Sequence, residues 1–196
     1  MKQNNPGNYN EELTTLCYQE VIPVEWELLK EPADVASQQR YQHDNAVLLQ
    51  GLLVVDEQPA IEHDEELSSL GQELQRIDHK LNLILELLSQ TLRSWRNLPV
   101  PVPVRLAVDG VEWSSEQELP IGALVLLKLY LSPVFPNPFT ATGSVQSCQS
   151  TGAHAYTVSV CFDEIDGPVR DALEKLVFRQ HRREVARARL RNSGGR

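Results

Sequence analysis

Catalysis or metal binding would need nucleophiles, bases or ligands at recognisable spacings, and the candidates in this chain are spread thinly. His43, His63, His79, His154 and His181 show no spacing with cysteine or carboxylate that would complete a metal set. Cys17, Cys148 and Cys161 are odd in number and unpaired in spacing. They read as small, buried or half-buried thiols rather than as a disulfide framework or zinc ligands. Ser114 and Ser115 lack the glycine elbow that presents a nucleophilic serine. Asp163 and Glu164 fall where a strand ends and read as a polar loop, and His63 before Asp64, Glu65 and Glu66 reads as a solvated helix start. No glycine-rich loop of the phosphate-cradling kind is present. The expectation is a protein without catalytic activity, metal or cofactor.

What remains is charge. The chain carries a formal −9, unevenly distributed. Arg179, Arg182, Arg183, Arg187, Arg189, Arg191 and Arg196, opposed only by Glu184, give the last 18 residues +6, while 11 cations against 26 acids give the first 178 residues −15. Such a tail can grip nucleic acid, acidic lipid or an acidic protein surface, or lie solvated or against the acidic body of its own oligomer. The acidic body opposes a polyanion, so the last reading is preferred. No element recognisable as a reader of nucleic acid accompanies the tail. The opening residues, MKQNNPGNYNEEL, have no basic segment followed by an apolar one, and no run reaches the roughly 18 apolar residues that span a bilayer. A cytoplasmic protein without membrane insertion is expected.

These groups must be positioned by elements, and the stretch Glu62 to Leu98 organises them. Steps of three and four from Leu67 land on Leu70, Leu74, Ile77, Leu81, Ile84, Leu88, Thr91, Trp95 and Leu98, so nine of ten seam positions are apolar. A sustained period of 3.5 residues is the mark of a coiled coil. Leu67, Leu74, Leu81, Leu88 and Trp95 fall at a, and Leu70, Ile77, Ile84, Thr91 and Leu98 at d. Leu at a with Ile at d favours trimers or tetramers over dimers. Leu85 and Leu92 at e, and Leu87 at g, widen the apolar face beyond what two strands use. The helix would run about 48 Å from Leu67 to Leu98. A homo-oligomer is expected, a tetramer first and a trimer next. The alternative partner is another helix of the same chain, and the only upstream candidate, Asp44 to Val55, would cover about 18 Å of the seam.

Around this helix the chain alternates. Leu16, Tyr18, Ile22, Val24, Trp26 and Leu28 share one parity, interrupted by Glu20, which predicts a half-buried strand with Pro23 marking an edge or bulge. From Asp34 the sequence turns helical, polar first and then apolar from Ala46 to Val55, with Gly51 inside it. Leu98-Pro99 ends the long helix. In LPVPVPVRLAV the prolines at 99, 101 and 103 occupy one parity and the valines the other, an extended connector feeding a strand. Asp109-Gly110 signals a hairpin, and Val125, Leu127, Leu129 and Leu131 form one face of a long strand. Phe139, Ala141 and Val145 continue an inner face, SCQSTGAH reads as a turn, and Tyr156, Val158, Val160 and Phe162 make a last strand. Several short antiparallel strands between turns predict a sandwich or small barrel. Asp166-Gly167-Pro168 starts a helix whose stripe of Val169, Leu173, Leu176 and Val177 would close the end of a barrel.

The segments VRLAVDGVEW, ELPIGALVLLKLYL, FTATGSVQS, AYTVSVCFDEI and PVRDALEKLVFRQHRREVARARLR, in this order, resemble the PilZ family of bacterial signalling domains. The first strand, LCYQEVIPVEWELL, followed by a two-helix insertion, is similar to the atypical oligomeric members. The resemblance implies an α+β fold: a small antiparallel β-barrel with a C-terminal helix, plus a helical insertion that carries the heptad helix. It divides the chain into a flexible 1–12, a first barrel strand over 13–30, a helical insertion over 34–98 with its oligomerisation helix at 62–98, barrel and C-terminal helix over 99–191, and a flexible tail at 192–196.

The family implies binding of cyclic di-GMP. Its ligand-binding members carry two arginines separated by three residues before the barrel, and on a strand an Asp or Asn, then Ser two residues on, then Gly three further. Here Lys2 and Lys30 are the only cations before Arg40, and Arg93 and Arg96 are separated by two residues and belong to the seam. Aligning Gly110 with the family glycine puts Arg105 at the Asp position and Ala107 at the Ser position. The phosphate and guanine donors are gone, and direct binding in the usual mode is not expected. Arg105 is read first as a strand-surface cation paired with a nearby acid. The expectation is therefore a tetrameric, non-enzymatic signalling or motility adaptor that displays several barrels to an unidentified protein partner. The alternative is a sensor of cyclic di-GMP or another nucleotide through a different surface.

Overall fold

A proline in the middle of the first extended stretch decides how the sheet is laid out. The computed structural model describes residues 16–55, 98–133, 135, 137–152, 155–163 and 165–193, with a discontinuous set of helical residues between 71 and 87. Pro23 has no N–H to continue a ladder, and the alternating stretch is cut there into β1 (Cys17–Ile22) and β2 (Val24–Leu29). Helix α1 (Val35–Val55) follows, then β3 (Val102–Ala107), β4 (Gly110–Ser115), β5 (Leu124–Leu129), β6 (Phe139–Gly152), β7 (Ala155–Phe162) and helix α2 (Gly167–Ser193).

The strands form one antiparallel sheet in the order β1-β3-β4-β7-β6-β5-β2. β1 pairs with β3 from Cys17↔Ala107 to Ile22↔Val102, and β2 pairs with β5 from Val24↔Leu129 to Leu29↔Leu124. Two expectations are corrected by this register. The single first strand over 13–30 is two strands, and they lie at opposite ends of the sheet. The closed barrel is a seven-stranded sheet whose end strands are not hydrogen-bonded to one another. Pro23 is the physical reason for the first, because the chain changes ladder at the residue that cannot donate.

A third correction concerns Ser147 to Gly152, expected as a turn and found as strand. Register shifts between Val145 and Ser147, and between Ser150 and Gly152, let β6 continue with polar residues, pairing Gln149↔Thr157 and Ser150↔Tyr156. Ala153 and His154 lie outside the described residues.

The interior follows the alternation of the strands. Val104, Leu106, Val111, Trp113, Val125, Leu127, Leu129, Phe139, Val145, Val158 and Val160 are buried on one face. Each such aliphatic side chain stabilises the fold by about 1.5–3 kcal/mol. Phe139 and Phe162 meet with tilted rings whose centroids are 5.9 Å apart. At two points β7 approaches a neighbour too closely for a side chain: a Cβ at Gly110 would collide with the Val160 carbonyl oxygen, and one at Gly143 with that of Cys161.

α1 is capped by Asp34, whose carboxylate accepts the Ser37 N–H and the Ser37 hydroxyl, each at 2.9 Å. Those bonds hold the carboxyl below its ordinary range. The helix buries Leu48 and Leu49 and packs on α2 and β6. Gly51 lies within the unbroken helix, and the Phe135 ring stands 3.0 Å from where its Cβ would be.

α2 begins with the Arg170 N–H donating to the Asp166 carbonyl at 2.8 Å, as the Asp-Gly-Pro signal led us to expect. An ion pair between Arg170 and Asp109 ties its first turn to the β3–β4 turn. Val169, Leu173, Leu176 and Val177 are buried, and the helix packs on α1, β1 and β3. It extends through Ser193, two residues into the stretch expected as a tail. α1 and α2 run in the same direction: Gln42 accepts from the Asp166 N–H at 3.3 Å, and further along Arg179 Nη1 donates to the Leu53 carbonyl at 3.0 Å. Leu53 lies in the last turn of α1, where carbonyls have no partner within the helix.

Candidate functional site

The positions to which the sequence assigns ligand chemistry lie on or beside β3. Val104 and Leu106 point into the core, so Arg105 points outward, between Gln19 of β1 and Glu112 of β4 in the register. Its Nη1 pairs with Glu112 Oε1 at 3.4 Å, and its Nη2 donates to Cys17 Sγ at 3.6 Å. Its Nε is buried without a hydrogen-bond partner. The guanidinium is held protonated above its ordinary range, first by the Cys17 hydrogen bond and then by the Coulombic pull of Cys17 and Glu112, with burial opposing. The pair is part-exposed, so it adds little to stability, about 0–1 kcal/mol. Its consequence lies in charge: the one cation at the degenerate motif already faces a carboxylate. The sequence's first reading of Arg105, a surface cation paired with an acid, is what the structure shows.

The other two motif positions do not converge with it. Ala107 is buried, 7% exposed, and opposes Cys17 in the ladder. Gly110 is explained by the close carbonyl of Val160 and needs no ligand. An open groove of about 300 Å³ runs over the same face, lined by Gln19, Val21, Arg105, Glu112, Ser114 and Thr157. Arg40, the first arginine of the sequence, lies over the Tyr41 ring at 5.7 Å on α1. No arginine pair of the expected spacing therefore borders the groove among the described residues.

The residues that could do covalent chemistry stay apart as well. Cys17 and Cys148 are half-buried and Cys161 is exposed, all as free thiols. Tyr18 faces the core, where burial, helped by Glu20 and Glu184, pushes its phenol far up and keeps it neutral. Among the described residues no group of three metal-ligating side chains is found. His63, His154 and Glu164 lie outside them.

The second candidate surface is the heptad seam. Leu74, Ile77, Leu81 and Ile84 are helical and between 52% and 59% exposed, with Leu83 and Leu87 exposed beside them. α1, the alternative partner within the chain, spends its apolar face on α2 and β6. Leu67, Leu70, Leu88, Thr91 and Trp95 lie outside the described residues, and Leu98 is half-buried just before β3.

Sequence reasoning missed three contacts that hold these surfaces in place. Asn45 is buried at 2% exposure and reaches β6. His181 and Glu184 of α2 bond the backbone of β1. A lone polar residue entering an apolar run was the available signal for Asn45. The two α2 contacts span more than 160 positions and left none.

A seven-stranded antiparallel sheet covered by one C-terminal helix, with a helical insertion between its second and third strands, is the class of fold that these observations define. The profile of the family described as "Atypical PilZ domain, cyclic di-GMP receptor" matches residues 49–190, well over half of the chain, and the chain belongs to that family. Among solved structures, a pathogenic protein from Xanthomonas campestris, described as a new tetrameric PilZ domain self-assembled via an unusual helical bundle, superposes with a TM-score of 0.68. It is 24% identical, and the match covers 90% of this chain and 95% of that one. At this identity the likeness concerns the fold. No curated protein matches. Among the described residues no helix is long and apolar enough to cross a membrane.

Proposed function

We propose that this chain is a cytoplasmic, non-enzymatic PilZ-type signalling adaptor that assembles as a tetramer through the Leu67 to Leu98 seam and displays its sheets to a protein partner. It does not take cyclic di-GMP through the usual arginine pair. The observation that carries this reading is the apolar seam at Leu74, Ile77, Leu81 and Ile84, about half exposed in the single chain at a spacing of seven for each class. Leaving four such side chains in water is costly, and further copies of the helix supply the matching surface. The tetrameric architecture described for the Xanthomonas protein of the same fold supports the stoichiometry. Light scattering on the intact chain and on Ile77→Asp with Ile84→Asp tests it: a tetramer that falls to a monomer is the expected result. A monomer in both sinks the adaptor reading.

The second reading, a sensor of cyclic di-GMP, is favoured by one observation of the fold and by the family description. Arg105, whose buried Nε has no hydrogen-bond partner, lies on the face that carries the groove. Titration with labelled cyclic di-GMP separates the two. Saturable micromolar binding lost in Arg105→Ala would replace the adaptor reading with this one.

A further inference from the structure

The C-terminal half of α2 carries six arginines between positions 179 and 191, and the two residues that interrupt their chemistry both turn inward. Glu184, the one acid of that stretch, accepts the Gln19 N–H of β1 at 2.7 Å, and His181 Nδ1 lies 3.0 Å from the Cys17 carbonyl. On the side of the helix turned away from the buried Val169, Leu173, Leu176 and Val177, and next to His181, Phe178, Arg182, Val185 and Arg189 follow one another at steps of four, three and four. All four are exposed, Phe178 at 48% and Val185 at 37%, and the Arg182 guanidinium stands 5.7 Å over the Phe178 ring.

We propose that this outward stripe docks α2 on an anionic phospholipid surface. The phosphate backbone of duplex nucleic acid is held by cations and does not by itself account for the exposed Phe178 and Val185. A lipid interface accepts both kinds of residue at once: apolar side chains at the headgroup–acyl boundary and guanidinium groups on the phosphates. The acidic body does not prevent this, because its field is screened beyond about 8 Å at physiological salt while the stripe touches the surface directly. The mode is peripheral. It goes beyond the adaptor reading and does not depend on the number of copies, although several copies would strengthen it by avidity.

Co-sedimentation of the full chain with vesicles of phosphatidylcholine, alone or mixed with phosphatidylglycerol, tests the proposal. Binding to the mixed vesicles only, weakened by salt, is expected. Arg182→Glu with Arg189→Glu should lower it on the order of tenfold or more. Phe178→Ser should lower it at low salt, where charge alone would suffice. Both variants should keep the mass of the intact chain in light scattering. Equal binding to the two vesicle types, or unchanged binding by either variant, overturns the proposal. So does a fall in mass in the double variant, which would make the stripe a contact between copies. Retention of DNA without retention of vesicles would assign the stripe to nucleic acid instead.

Discussion

Asn45 and Thr140 exchange two hydrogen bonds: Asn45 Nδ2 donates to the Thr140 carbonyl at 2.7 Å, and the Thr140 N–H donates to Asn45 Oδ1 at 2.8 Å. The side-chain amide completes a rung that β7 does not reach, since β7 pairs with β6 only from Gly143↔Phe162 onward. α1 is thereby tied to the sheet by a mimic of a strand. Replacing Asn45 by Ala leaves a backbone donor and acceptor unpaired at a buried position, and the expected loss is about 2–4 kcal/mol in urea unfolding with an unchanged m-value. Asn45→Asp should cost more, because a carboxylate would face the Thr140 carbonyl.

Alkaline pH should unfold the protein through Tyr18. Its phenol is raised in the folded state by burial and by Glu20 and Glu184. The sign follows directly: in the unfolded chain the phenol ionises near about 10, while the folded chain keeps its proton to higher pH. The stabilisation is fully present below that value and declines as pH rises beyond it. Tyr18→Phe should flatten the alkaline limb of a stability-against-pH curve measured by denaturant titration. An unchanged limb would assign the alkaline loss to other groups.

Arg105 should prove nearly dispensable for stability. Its partners are a part-exposed carboxylate and a thiol, and its Nε has no partner. Arg105→Met, which keeps the stem packed on the sheet face, is expected to change unfolding free energy by less than about 1 kcal/mol. Gly110→Ala, five positions on in the same motif, should by contrast cost several times as much, because its Cβ meets a strand carbonyl that cannot move independently. The contrast would establish that the surviving glycine of the motif is retained for packing.

Local alternation carried most of the fold. Strand positions such as Val125, Leu127 and Leu129, and the α2 stripe from Val169 to Val177, are buried as their spacing requires, because pleat and helical period act within a few residues. What stayed hidden depends on partners remote in sequence. Nothing near Pro23 states that β1 will find β3 and β2 will find β5, so two strands read as one. The polar run after Val145 looks like a turn until β7 supplies a ladder for it. Arg105 was legible as a paired surface cation, but Cys17, 88 positions away, was not legible as one of its partners.

Glu184 and the Gln19 N–H make the last contact with a consequence that can be measured. β1 is an end strand, so its outer backbone groups would otherwise be open to another chain. α2 covers them with His181 and Glu184, one helical turn apart, bonded to Cys17 and Gln19. Glu184→Ala removes the acceptor and leaves that edge N–H to water or to a foreign strand. Faster hydrogen exchange at the Gln19 amide is expected, with slower exchange preserved in the interior of β4 and β7. The variant should also aggregate more readily on mild heating, whereas Glu184→Gln, which keeps an acceptor oxygen, should restore much of the protection. Exchange at Gln19 that is equally fast in the unaltered protein would mean that α2 does not guard this edge in solution.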